Sequence, residues 1–156
     1  MTTALFAGSF DPITIGHVDV VTRVLGFVDE LVVAVGVNPA KRYLFDQPRR
    51  IEMVERALEG VEGVRVVGMP GALLDCAQET GADIIVKGAR TAADFDFEVP
   101  QSVVNRDIGG IDTVLMPARP ELSVVSSSMV RELMGLGLDV SRYVPTAILP
   151  FLRKNG

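Results

Sequence analysis

Gly8-Ser9-Phe10-Asp11-Pro12-Ile13-Thr14-Ile15-Gly16-His17 joins a short apolar segment, Thr3 to Ala7, to a helical pattern in which Val18, Val21, Val24 and Leu25 recur. A glycine-bearing turn between a buried strand and a helix opens a β-α-β unit. The helix start that closes it is a place where backbone N–H groups and the helix dipole favour an anion. The stretch is not the Gly-x-Gly-x-x-Gly dinucleotide fingerprint, and no Gly-Lys-Ser/Thr follows to make a Walker loop. Gly16 lets a ligand approach the backbone closely, and His17 projects from the first helical turn toward it. A lone Gly-His pair would read as a plain turn with a structural histidine, so the rest of the chain has to decide.

Working outward, Leu31 to Val37 is a valine-rich run bounded by Asp29-Glu30 and Asn38-Pro39, and it reads as a second buried strand. Val64 to Val67, Asp83 to Val86 and Asp112 to Met116 repeat the theme. Between them lie helical patterns: Ile51, Met53, Val54, Ala57 and Leu58 with Asp46 as cap, then Leu73, Leu74 and Ala77, then Phe95 through Val104. Further helices are expected after Ser128 and after Pro145. Strands alternating with helices predict an α/β protein, a doubly wound parallel sheet covered on both faces. In such a sheet, ligands bind beyond the carboxyl ends of the strands near the switch in strand order.

Length and composition bound the rest. At 156 residues, residues 1–156 form a single domain without a second catalytic lobe. Hydrophobic residues at 48% with a mean hydropathy of +0.34 suit buried strands, yet no apolar run approaches the roughly 20 residues of a membrane helix. Fifteen Lys and Arg against twenty Asp and Glu give a net charge of -5, which disfavours nucleic acid as a partner but leaves room for a small anion on a local basic cluster. One cysteine, Cys76, excludes a disulfide framework and a thiolate zinc site, and it reads as a core residue. Asp11 and Pro12 interrupt the N-terminal apolar stretch, which does not read as a signal peptide, so a cytoplasmic location is expected.

Lys41 follows the second strand, and Lys87 and Arg90 follow the fourth, so the fold would bring three cations to the end of the sheet where the His17 helix begins. Convergent cations there imply a polyphosphate. Arg90 suits bidentate phosphate contact, whereas the lysines act as point charges. Ser126, Ser127 and Ser128 precede Met129-Val130-Arg131-Glu132, a serine-capped helix start that can also receive an anion.

These motifs resemble those of a known family. Gly8 to His17 with its Thr14-x-Gly16-His17 core, Asn38-Pro39-Ala40-Lys41, Lys87-Gly88-Ala89-Arg90, Asp94-Phe95-Asp96-Phe97-Glu98 and Val125 to Glu132 together look like the bacterial phosphopantetheine adenylyltransferases of the nucleotidylyltransferase superfamily. The resemblance spans nearly the whole chain. It implies a Rossmann-like fold and transfer of AMP from ATP to 4'-phosphopantetheine, giving 3'-dephospho-coenzyme A and pyrophosphate. It also implies Mg²⁺ with ATP, no metal site of the protein's own, and a homohexamer.

The resemblance implies catalytic roles for His17, Lys41, Lys87 and Arg90. It implies ATP contacts at Ser9, Phe10, His17, Gly88, Ala89, Arg90, Glu98 and the run Leu122, Ser123, Val124, Val125, Ser126, Ser127 and Ser128. Ser9, Lys41, Lys87, Leu73 and Leu74 would meet the acceptor, the two leucines along its pantetheine arm. Ala89, Phe97 and Arg49 stand where the family usually has a leucine, a tyrosine and an acidic residue. The first two bear on the packing of the adenosine pocket. The Thr14-x-Gly16-His17 core alone does not choose the acceptor, which leaves nicotinate mononucleotide or glycerol phosphate as alternatives. A nucleotide-binding sensor without turnover is the alternative from another class.

Overall fold

Thr3–Gly8 (β1) and Glu30–Gly36 (β2) run side by side in parallel, Ala4 opposite Leu31 and Phe6 opposite Val33, and nearly all of their residues are buried. Their neighbours are Val64–Met69 (β3), Ile84–Ala89 (β4) and Asp112–Pro117 (β5), in the order β3-β2-β1-β4-β5, all parallel. This computed structural model describes residues 1–153. The short apolar segment and the valine-rich run thus become inner strands of the sheet, while β3 and β5 are half-exposed edges.

Side chains alternate between the two faces, as the pleat requires. Ala4, Phe6, Leu31, Val33, Val35 and Val86 enter one core with Ile15–Val24 (α1), Gln47–Ala57 (α2) and Ser127–Gly135 (α5). Leu5, Val32, Ala34 and Ile85 enter the other with Leu73–Thr80 (α3). Ala92–Gly109 (α4) follows β4, and its Gly109 lies under Leu74 of α3. Helices cover both faces, the doubly wound arrangement expected from the alternation. The order reverses between β1 and β4, which opens a crevice at the carboxyl ends of those strands.

Three boundaries differ from the sequence reading. β4 runs on to Ala89, because Lys87, Gly88 and Ala89 pair with Leu115, Met116 and Pro117, so Lys87 lies within the strand rather than beyond it. α4 begins at Ala92 instead of Phe95. The Thr91 hydroxyl accepts from the Asp94 N–H while the Asp94 carboxylate accepts from the Thr91 N–H, a reciprocal cap that fixes the start. After Pro145 the described residues make a tight turn, Thr146–Ile148, and a four-residue helix, Leu149–Leu152 (α6). Asp46 caps α2 and Ser126 caps α5, as the sequence suggested.

Cys76 of α3 is buried against the sheet, and burial followed by the nearby Glu79 pushes its thiol above the ordinary range, against a smaller opposing pull from Arg65. A thiol reagent should therefore label it slowly in the native protein and quickly in denaturant. Cys76→Ala should keep full activity and lose about 1 kcal/mol of stability, the cost of a small cavity. Rapid native labelling that ATP prevents would contradict this placement.

Candidate active site

The crevice at the switch point is a cleft of about 400 Å³ lined by the ends of β1 and β4, the start of α1 and the start of α5. His17, Lys41, Lys87 and Arg90 all line it, together with Ser9, Gly88, Ala89, Glu98, Leu122, Val125, Ser126, Ser127 and Ser128. Residues from separate parts of the chain meet there because the reversal in strand order leaves β1 and β4 adjacent.

His17 is the third residue of α1, and local sequence fixes its ring. Thr14 caps the helix, and its backbone N–H donates to His17 Nδ1 at 2.9 Å, with Thr14 Oγ1 a further 3.2 Å contact. Because Nδ1 accepts, the neutral imidazole carries its proton on Nε2. Phe10 meets the ring edge-on at 4.9 Å between centroids and in turn stacks edge-on against Phe6. Phe10 is itself buried at a positive φ of 48°, a backbone geometry non-glycine residues seldom adopt, so the turn accepts local strain to seat this ring.

Burial, and then the Arg90 charge, lower the His17 pKa from 6.5 to about 4. At neutral pH the side chain is a neutral donor through Nε2. Between pH 4 and 6.5 the unfolded chain binds the proton that the folded chain refuses. This contribution to stability is therefore present above 6.5 and is lost as pH falls toward 4, on the order of 3 kcal/mol in total. His17 is the chain's single histidine, so its ring resonances in an NMR titration are unambiguous. The midpoint should fall near 4. A midpoint near 6.5 would show that the ring is not desolvated in the folded protein.

The two acids in the cleft are both neutralised. Glu98 of α4 lies 3.6 Å from Lys87 Nζ, with both side chains largely buried. Asp19 of α1 pairs with Arg23 at 3.2 Å and Arg119 at 2.8 Å. Lys41 remains on an exposed loop position, and Asp94 holds Arg90 by accepting its backbone N–H at 2.8 Å and pairing with its Nε at 3.9 Å. Three cations, Lys41, Lys87 and Arg90, thus face a cleft whose acids are already paired, a lining that favours an anion.

The three serines divide their work. Ser126 Oγ caps α5 by accepting from the Met129 N–H. Ser127 Oγ donates to the Pro12 carbonyl at 2.7 Å, which engages its hydroxyl proton within the protein. Arg131 donates to Ser128 Oγ at 3.2 Å and to the Asp11 carbonyl at 2.7 Å, tying α5 to the β1 turn. Among the described residues no protein acceptor meets the Ser127 and Ser128 backbone N–H groups, which are the first donors of α5. At α1, by contrast, the Ile15 N–H goes to the Tyr143 carbonyl and the His17 N–H to Thr14. Among the described residues the start of α5 thus leaves two N–H groups at the cleft without a protein acceptor and the start of α1 leaves one, from Gly16.

Some expected residues lie outside the cleft. Phe10 is beneath the His17 ring rather than on the surface of the cleft, and Ser123 and the exposed Val124 do not line it. Leu73 and Leu74 sit at the start of α3, half-buried against the core of the opposite sheet face, because the connection from β3 to β4 carries α3 to that face. Asp19, Arg119, Asp11, Arg50 and Arg131 were not singled out in the sequence. The Asp11 carboxylate is 1% exposed and accepts from the Leu44 and Phe45 N–H groups, which anchors the loop that bears Lys41.

A cytidylyltransferase-like family model matches residues 5–133. A crystal structure from Vibrio parahaemolyticus, provisionally described as a nicotinate-nucleotide adenylyltransferase, superposes with a TM-score of 0.72 at 21% identity, covering 99% of this chain and 98% of that one, a likeness of fold. A phosphopantetheine adenylyltransferase of Micrococcus luteus is 45% identical over 150 residues, 96% of each chain. One of Cutibacterium acnes is 45% identical over 142 residues, covering 91% of this chain and 90% of its own. Identity at that level, end to end in both chains, carries more than the fold: the chain belongs to the phosphopantetheine adenylyltransferase family among the cytidylyltransferase-like proteins.

Proposed function

We propose that this chain, as one nucleotidylyltransferase domain over residues 1–156, transfers AMP from ATP to 4'-phosphopantetheine, giving 3'-dephospho-coenzyme A and pyrophosphate in coenzyme A synthesis. An oxygen of the acceptor phosphate attacks the α-phosphorus, the bond to the β-phosphate breaks, and pyrophosphate leaves. The attacking group is already anionic at neutral pH, so the step needs no strong general base. The observation that carries this reading is the neutral His17 with its Nε2 proton directed by the Thr14 bond, a donor that stabilises charge without exchanging its proton.

Within the proposal, His17 donates to an α-phosphate oxygen, while Lys41 and Lys87 orient and neutralise the acceptor phosphate, Lys87 steadied by Glu98. Arg90 and the Ser127 and Ser128 backbone N–H groups hold the β- and γ-phosphates. Ser9, Gly88, Ala89, Leu122 and Val125 line the nucleotide's part of the cleft. Catalysis comes from holding two repelling phosphates in line and offsetting the charge between them. Leu73 and Leu74 would meet the pantetheine arm only where it extends beyond the cleft.

Mg²⁺ enters as part of the ATP substrate. Among the described residues no three His, Cys, Asp or Glu side chains gather as a resident metal site would require. A cytoplasmic homohexamer completes the proposal. Its support is that no described helix is long and apolar enough to cross a membrane, and that α4 has no fully buried residue while exposing Phe97 at 65% and Ile108 at 74%. The acceptor is tested by comparing kcat/KM for pyrophosphate release with 4'-phosphopantetheine, nicotinate mononucleotide and glycerol phosphate. Phosphopantetheine should exceed both by at least about 10³-fold. A preference for either rival would overturn the acceptor, and nucleotide binding with no turnover on any would favour the sensor.

A further inference from the structure

Arg50 is the largest fully buried side chain among the described residues, at 1% exposure, and no carboxylate there lies within ion-pair distance of it. An unpaired buried charge is costly unless hydrogen bonds replace its water. Here Nε donates to the Phe45 carbonyl at 2.9 Å, and Nη1 donates to the Ser9 and Gly36 carbonyls, both at 2.7 Å. The guanidinium also lies 4.0 Å from the centre of the Tyr43 ring.

Those acceptors belong to three different segments. Ser9 lines the cleft just past β1, Gly36 ends β2, and Phe45 closes the 37–46 loop that carries Lys41. The same loop is held from the other side by the Asp11 carboxylate, and Tyr43 Oη accepts from the Asn38 N–H at 2.7 Å, which closes the loop around Lys41. We infer that Arg50 is a positioning residue for the acceptor half of the site: without touching substrate, it fixes the end of β1 and the 37–46 loop so that Lys41 faces the cleft. This rests on the proposed role of Lys41. A lysine at position 50 would keep the charge but has no planar fork, so it cannot meet three carbonyls and stack on Tyr43 at once.

The test combines Arg50→Lys, Lys41→Ala and the double mutant in the full chain. Arg50→Lys should raise KM for phosphopantetheine about 10-fold or more, leave KM for ATP within about twofold, and speed amide exchange across residues 38–46. In the Lys41→Ala background it should add less than about twofold to the acceptor KM, because both changes act through one contact. Equal shifts in both KM values, or effects that multiply in the double mutant, would overturn the inference. Lys41→Ala alone leaving the acceptor KM unchanged would overturn the reading of Lys41 and this inference with it, a failure the single mutant identifies. Should Arg50→Lys not fold, Tyr43→Leu keeps Arg50's carbonyl contacts and removes the stacked ring together with the hydroxyl that accepts from Asn38, and Tyr43→Phe, which removes the hydroxyl alone, serves as its reference. Tyr43→Leu should raise the acceptor KM about threefold over that reference, and no change there would equally count against the inference.

Discussion

His17→Ala should lower kcat by about 10²–10³ while ATP affinity stays within about threefold. The large effect on kcat follows from the ring's role as a donor to charge that builds up only in the transition state. The small effect on binding follows because the cations and the α5 N–H groups hold the nucleotide. His17→Gln, whose amide can carry an N–H near the position of Nε2, should recover part of the loss. A fully active His17→Ala enzyme would remove the donor from the mechanism, and an equal loss of ATP affinity would make it a binding residue instead.

Lys41→Ala and Arg90→Ala should produce opposite defects. Each cation sits on a separate segment, Lys41 beyond β2 and Arg90 immediately beyond β4, so each faces a different substrate in the proposed arrangement. Loss of one charge-assisted contact is worth roughly 1.5–3 kcal/mol, about 10- to 100-fold. Lys41→Ala should impose that loss on kcat/KM for phosphopantetheine, and Arg90→Ala on kcat/KM for ATP, with the other substrate changed by less than about threefold. Substrate titrations with identical defects in both mutants would refute the division.

The central strands and the cleft's first cations were legible because their signals are local. A continuous apolar run ended by Asn38-Pro39 marks β2 without reference to the rest of the chain, and Thr14-x-Gly16-His17 carries its own cap. The end of β4 has no local signal: a lysine after three apolar residues resembles a strand's end, whereas pairing with β5 carries the ladder three residues further. The start of α4 is set by the reciprocal Thr91 and Asp94 cap, which lies ahead of the apolar pattern that begins at Phe95.

Arg50 and Asp11 were not legible. Each is a charged residue whose default reading is surface, and their burial comes from partners distant in sequence: Ser9 for Arg50, Leu44 and Phe45 for Asp11. The engaged Ser127 hydroxyl is similar. Its acceptor, the Pro12 carbonyl, is 115 residues away, and only the folded chain brings the two together.

Adenylyl transfer in this cleft is tested most directly by following the phosphorus atoms of ATP. With ATP labelled separately at the α and γ positions, the α label should appear in the dephospho-coenzyme A product and the γ label in pyrophosphate. Both should form in equal amounts, and only when phosphopantetheine is present. Release of the α label as AMP, or its appearance without acceptor, would contradict attack by the acceptor phosphate on the α-phosphorus.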